Sequence, residues 1–190
     1  MADTQRYIDF ILESEKLKGV LRKNKPVGIN RYENTAEHSW QVTLTALILL
    51  HERPELDSLK VLKMLLIHDL VEIDAGDIQI YDDKARKANE VHERAAAKRL
   101  FGLLPTPLGD ELHSIWNEFE AAESPEARFA KAADRINPVL QNLEQNGQSW
   151  VENDITIDQV MAKNAKIADA NEDLGEFLEN RIRYADCFKK

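Results

Sequence analysis

The chain has 190 residues, 43% of them hydrophobic, with 34 acidic side chains against 25 basic ones and a formal net charge of −9. That length suits one domain, or a domain with a small appendage. The acidic balance argues against a nucleic-acid polymer as partner, because such proteins carry a basic face that neutralises phosphates.

The single cysteine, Cys187, excludes an intrachain disulfide framework and a cysteine-based zinc site. Asp3, Arg6 and Asp9 interrupt the start of the chain where a signal peptide would need an apolar run. The longest apolar stretches, 44–50 and 64–67, are far shorter than the roughly 20 residues of a membrane span. The chain therefore reads as soluble and cytoplasmic, with no membrane partner.

Glycine and proline are sparse, strand-like alternation is nearly absent, and helical periodicity recurs. A first helix is expected over 3–18, with Tyr7, Phe10, Ile11, Ser14 and Leu17 on one face. A turn-rich loop follows, marked by Pro26 and Gly28 and carrying the cations Arg22, Lys23, Lys25 and Arg31. Asn34 and Glu37 have the spacing of a capping box, which predicts a helix to about His51 with His38 in its first turn. Asp57 or Ser58 caps the next, over 59–75, and Gly76 stops it before a polar loop. An amphipathic helix over 84–101 ends at Gly102. Thr106-Pro107 and Ser124-Pro125 each place proline at the first helical position of a new helix. Pro138 lies inside the second of these and should kink it. Asp158 is expected to cap a last helix, about 157–186, with Val160, Ile167, Leu174, Phe177 and Ile182 on its apolar face. The sum is an all-α fold of six or seven helices with short connections. No convincing interdomain linker divides it, so residues 1–190 read as one domain, with a core of about 30–145 on which the C-terminal helix packs.

The stretch Leu65-Leu66-Ile67-His68-Asp69-Leu70-Val71-Glu72 sets charged groups into an apolar run, where they are costly unless paired. Imidazole and carboxylate together suit a borderline divalent ion. On one helix, His68 and Asp69 are about 100° apart, so they share an ion only with help from other helices. His38 is available at a helix start. Asp134 is flanked by Ala130, Ala132 and Ala133, whose small side chains let helices approach closely. His38, His68, Asp69 and Asp134 are therefore the expected metal ligands. Four protein ligands leave room for water and substrate on a six-coordinate ion, which favours Mn, Co, Fe or Ni over a closed tetrahedral Zn. Glu72, four residues after His68, is placed to handle a proton, and Asp77 beyond Gly76 to orient a nucleophile or a sugar hydroxyl.

The order His38, His68-Asp69, Asp134 on a helical domain resembles the HD-domain family of metal-dependent phosphohydrolases. The flanks Glu33-Asn34-Thr35-Ala36-Glu37-His38-Ser39, His68-Asp69-Leu70-Val71-Glu72, Gly76-Asp77-Ile78 and Lys131-Ala132-Ala133-Asp134-Arg135 resemble its 5′-deoxynucleotidase branch. The resemblance implies one divalent ion, a homodimer and a small phosphorylated substrate, foremost a deoxyribonucleoside 5′-monophosphate. It also implies functional acids at Glu72 and Asp77. Arg22, in Leu17-Lys18-Gly19-Val20-Leu21-Arg22, matches the family's phosphate-contacting arginine, with Arg31 as the alternative. The deoxynucleotidases follow that arginine with tryptophan, where this chain has Lys23, a residue that adds charge to a phosphate pocket. The rival readings are hydrolysis of another phosphomonoester or a phosphodiester, a non-catalytic metal-stabilised nucleotide-binding module, and a purely structural helical dimer.

Overall fold

The computed structural model describes residues 2–189, whose regular elements are all helical; one isolated antiparallel bridge, Leu21 to Asn34, is their only extended pairing. Seven of the ten α-helical segments among these residues have ten residues or more, in line with the expected six or seven helices.

Helix α1 (Ala2–Ser14) passes into a 3₁₀ turn, Glu15–Gly19. Its apolar face is not buried as expected: Tyr7 and Ile11 are exposed, while Phe10 and Leu17 pack on the core. α2 (Thr35–Leu49) starts where the Asn34 side chain accepts from the Glu37 amide. The capping box is only half formed, because the Glu37 carboxylate turns outward to the Arg31 guanidinium at 2.7 and 2.9 Å.

The largest departure lies in the charged stretch. The expected helix 59–75 is split into α3 (Ser58–Ile67) and a short α4 (Glu72–Ala75), with His68 and Asp69 in the turn between them. The Glu72 amide bonds to the Asp69 carbonyl, three residues back. This frees the His68 carbonyl, which accepts from Trp116 Nε1 at 3.0 Å, while His68 Nδ1 takes the Leu65 carbonyl at 2.8 Å. The carbonyls that a continuous helix needs are thus claimed by side chains. Gly76 adopts φ +76°, a conformation that favours glycine, and turns the chain away from α4.

Then come α5 (Asp83–Phe101), α6 (Leu108–Ala121) and α7 (Pro125–Glu144). Pro107 is the N-cap of α6 rather than its first residue, whereas Pro125 opens α7 as expected, behind a Ser124 cap. α7 continues through Pro138. Since proline has no N–H, the carbonyl of Asp134, four residues earlier, loses its helical partner there.

One apolar cluster joins α2, α3, α5, α6 and the first half of α7 through Val42, Met64, Leu65, Phe101, Phe119 and Ala133. A second lies against the later half of α7, where Ile136 and Val139 meet Trp150, Val160, Ile167 and Ile182. The expected C-terminal helix is three pieces: α9 (Ile157–Asn164), a 3₁₀ turn (Ala165–Asp169) and α10 (Glu172–Arg183), with α8 (Gln148–Glu152) before them. Thr156, in a capping box with Gln159, replaces Asp158 as the cap. Phe177 is exposed, whereas Val160, Ile167 and Ile182 are buried as expected. A Cβ at Gly175 would sit 2.9 Å from the Cα of Ala168, so α10 folds back tightly on the 3₁₀ turn. No helix among the described residues is long and apolar enough to cross a membrane.

Candidate metal centre

Three helices deliver the four expected ligands to one place. His38 sits fully buried in the first turn of α2, and His68 and Asp69 follow the end of α3. Asp134 projects from the middle of α7, where Ala130, Ala132 and Ala133 are fully buried and permit close packing. His38 Nε2 is 2.7 Å from Asp134 Oδ1 and 3.7 Å from Asp69 Oδ2. His68 Nε2 is 3.1 Å from Asp69 Oδ2 and 3.5 Å from Asp134 Oδ1. Ligand atoms of His38, His68 and Asp69 all lie within 4.8 Å of one another.

The donor chemistry fits a divalent ion. His68 Nδ1 carries the hydrogen that the Leu65 carbonyl accepts, so in the neutral ring Nε2 presents a lone pair. That atom is buried, has no hydrogen-bond partner, and faces two carboxylate oxygens. Lone pairs converging in this way require a proton or a metal cation between them. Two nitrogens and two carboxylates form a borderline donor set. Phe119 meets the His68 ring edge-on, with centroids 5.1 Å apart, and helps fix its plane.

The electrostatics follow from the same closeness. Burial opposes the charged form of His68, but Asp69 and Asp134 outweigh it and push the imidazole up to about 10. Burial likewise opposes ionised Asp69, yet His68 and then Arg22 bring it down to about 2. Asp134 is held well below the carboxylate range because His38 and His68 outweigh its burial. Glu72 goes the other way: burial, reinforced by the Asp69 charge, raises it well above its ordinary value. Burial also raises Asp77, against the pull of Arg22.

A pH dependence follows. A raised histidine stabilises the fold fully below its unfolded value of about 6.5, and this contribution is lost as pH rises through the folded value. The metal-free protein should therefore show a falling Tm between pH 7 and 10, read by circular dichroism. Adding a divalent ion at pH 7.5 should raise Tm and release about one proton per ion bound, measurable by calorimetry in two buffers.

Arg22 Nη1 lies 3.0 Å from Asp69 Oδ2, 3.5 Å from Asp77 Oδ1 and 3.9 Å from Glu72 Oε1. A cavity of about 150 Å³ opens here, lined by Arg22, Lys23, Glu72, Asp77 and Asp134. Arg31 is not brought to it; its guanidinium is paired with Glu37 on the surface. Glu72 Oε2 accepts from Thr35 Oγ1 at 2.8 Å, so the carboxyl is anchored from α2 even though it is not continuous with the His68 helix.

Two supporting residues escaped sequence reasoning. Glu33 is almost fully buried, with Oε2 3.7 Å from His38 Nδ1 and 3.7 Å from Arg22 Nε. Gln141 from α7 donates to its other oxygen at 2.6 Å. Glu33 stands behind both His38 and Arg22, where a carboxylate orients an imidazole. Thr35 is the second. Both lie in the segment that leads into His38, and an acid just ahead of a helix cap was the available signal.

An HD-domain model matches residues 14–174. The chain belongs to the HD-domain family. Among similar HD-domain proteins, the human and bovine proteins named 5′-deoxynucleotidase HDDC2 are 29% and 30% identical over 139 residues, which is 70% of this chain and 67% of each relative. A crystal structure described as a predicted metal-dependent phosphohydrolase from Magnetospirillum magnetotacticum is 38% identical, with a TM-score of 0.90 over 97% of this chain and 96% of its own.

Proposed function

We propose that this HD-domain protein is a metal-dependent phosphomonoesterase acting on deoxyribonucleoside 5′-monophosphates. The observation that carries this reading is the buried meeting of His38, His68, Asp69 and Asp134 beside Arg22, Glu72 and Asp77 in one cavity. The relatives named 5′-deoxynucleotidase support the substrate class.

His38, His68, Asp69 and Asp134 would hold one divalent ion, drawn from Mn, Co, Ni, Fe or Zn. When bound, that ion supplies Lewis-acid charge on a phosphoryl oxygen and makes hydroxide available near neutral pH. The chain's own groups do the rest. Arg22 receives the non-bridging phosphate oxygens, for which a guanidinium fork is the matching shape, and exposed Lys23 adds positive charge at the rim. Glu72, raised by burial, holds a proton on the carboxyl that Thr35 anchors, and delivers it to the departing 5′-oxygen. Asp77 orients the attacking water or a sugar hydroxyl. Val71 and Phe119 line the cavity with apolar surface and restrict water.

The deciding experiment is phosphate release from a panel of deoxy- and ribonucleotides with Mn, Co, Ni, Mg and Zn each controlled. Fastest release from deoxyribonucleoside 5′-monophosphates is expected. Tight nucleotide binding without release in any metal would instead mean a non-catalytic module. Arg22→Ala should raise KM roughly tenfold or more, the worth of about one charge-assisted hydrogen bond, with a smaller change in kcat; an unchanged KM removes Arg22 from phosphate binding.

We also read the protein as a cytoplasmic homodimer. α2 leaves Trp40, Leu47 and Ile48 exposed along one stripe at helical spacing, which supports a subunit contact there. Light scattering on the purified protein gives the mass.

A further inference from the structure

The cavity does not end at the metal centre. It continues past Asp134 to Arg135, the next residue of α7, and to Arg86 on α5, with Tyr81 and Trp150 also on its wall. Arg135 is largely withdrawn from solvent. Its Nη1 donates to the Lys163 carbonyl at 2.8 Å, but its Nε is buried without any hydrogen-bond partner. Among the described residues, neither Arg135 nor Arg86 forms an ion pair, although 31% of the chain is charged and most other arginines are paired. The acid Glu120, on the same cavity, is held by Lys131 at 2.7 Å. An unpartnered guanidinium N–H costs free energy where it stands, and a second arginine beside it adds like-charge repulsion. An anion bound in the cavity offsets the charge of both arginines. The same cavity is also lined by the apolar side chains of Val71, Phe119 and Val139.

We propose that Arg135 and Arg86 form a second anion subsite, so that the site accepts, beside deoxyribonucleoside 5′-monophosphates, nucleotides with a second phosphate remote from the one removed, as in a deoxynucleoside 3′,5′-bisphosphate. This rests on the phosphomonoesterase reading for the orientation of the substrate: the scissile 5′-phosphate at Arg22 and the metal ligands, the other phosphate at Arg135 and Arg86, the nucleoside along the apolar wall. The substrate binds through charge-assisted N–H···O contacts from the part of the Arg135 guanidinium that lines the cavity and from Arg86 at the rim. No covalent step involves either arginine.

The test compares 2′-deoxyadenosine 5′-monophosphate with 2′-deoxyadenosine 3′,5′-bisphosphate in the wild type, Arg135→Gln and Arg86→Gln. Phosphate release gives KM, and calorimetry gives Kd on the metal-free protein, where no turnover occurs. The wild type should favour the bisphosphate about tenfold in both KM and Kd, the effect of one added charge-assisted contact. In Arg135→Gln the ratio should fall to about one, and in Arg86→Gln it should fall in part. Orthophosphate up to millimolar concentration distinguishes the sources: as a filler of the subsite it narrows the ratio in the wild type only. Equal affinity for the two nucleotides, or a preference that survives Arg135→Gln, overturns the subsite. Were Arg135 merely a strut for the Lys163 carbonyl, its variant would lower Tm and leave the ratio at the wild-type value. Because the Kd comparison needs no catalysis, absence of phosphate release from every nucleotide would overturn the enzyme reading without deciding this one.

Discussion

Asp69→Ala is expected to lose the metal and the activity together, with kcat/KM falling by about three orders of magnitude or more, the equivalent of roughly 4 kcal/mol of transition-state stabilisation. Asp69 Oδ2 is the atom on which the centre converges: it lies 3.1 Å from His68 Nε2, 3.7 Å from His38 Nε2 and 3.0 Å from Arg22 Nη1. Removing it takes away one of only two anionic ligands. The two histidines that remain are neutral donors, so the site loses half of its negative charge as well as a bond. The fold should survive, since Arg22 keeps Asp77 at 3.5 Å and Glu33 at 3.7 Å as counter-charges. His68 should drop from about 10 toward its ordinary range, because Asp69 is the largest group holding it up. The measurement is metal content by mass spectrometry alongside phosphate release. A variant that retained one ion per chain and full turnover would falsify the ligand assignment. Asp69→Asn is the gentler control: it keeps the shape and one oxygen but removes the charge, and should weaken metal binding less than alanine does.

The meeting of His38, His68, Asp69 and Asp134 was legible in the sequence because the cost of burying them was visible. A histidine and an aspartate inside Leu65–Val71, with a second histidine at a helix start and an aspartate among alanines, need one another in an apolar interior. The path of the backbone through that stretch was not legible. Nothing between Leu65 and Val71 breaks a helix by propensity. What breaks it is tertiary: Trp116, 48 residues away, takes the His68 carbonyl, and the His68 ring takes that of Leu65. The same holds for Arg31. In sequence it is one cation among four in a loop, and only the outward turn of Glu37 removes it from the cavity. Glu33 was hidden for a related reason, because its role depends on Gln141, 108 residues away. The C-terminal helix was misread as continuous since Ala165 to Ala170 contains no glycine or proline. Its break reflects the contact between Gly175 and Ala168, which a single straight helix could not make.

Glu72→Gln is expected to keep the metal and lose most of the turnover. Glu72 is not among the groups closest to the two imidazoles, and its nearest partner is Thr35 Oγ1 at 2.8 Å, a contact that an amide oxygen also accepts. Geometry and metal content should therefore hold. The proton should not. Burial and the Asp69 charge keep this carboxyl protonated beyond its ordinary range, and a cation beside Asp69 would offset part of that charge and ease release of the proton. An amide has no such proton to give to the leaving 5′-oxygen. Loss of a positioned acid costs about 10²- to 10⁴-fold in kcat, with KM little changed because Arg22 still holds the phosphate. The informative control is a substrate that does not need the acid. With p-nitrophenyl phosphate, whose leaving group departs as a stable phenolate, the defect should shrink markedly. If Glu72→Gln slows both substrates by the same factor, Glu72 acts on the attacking water instead; if kcat is unchanged with the nucleotide, it has no part in the proton transfer at all.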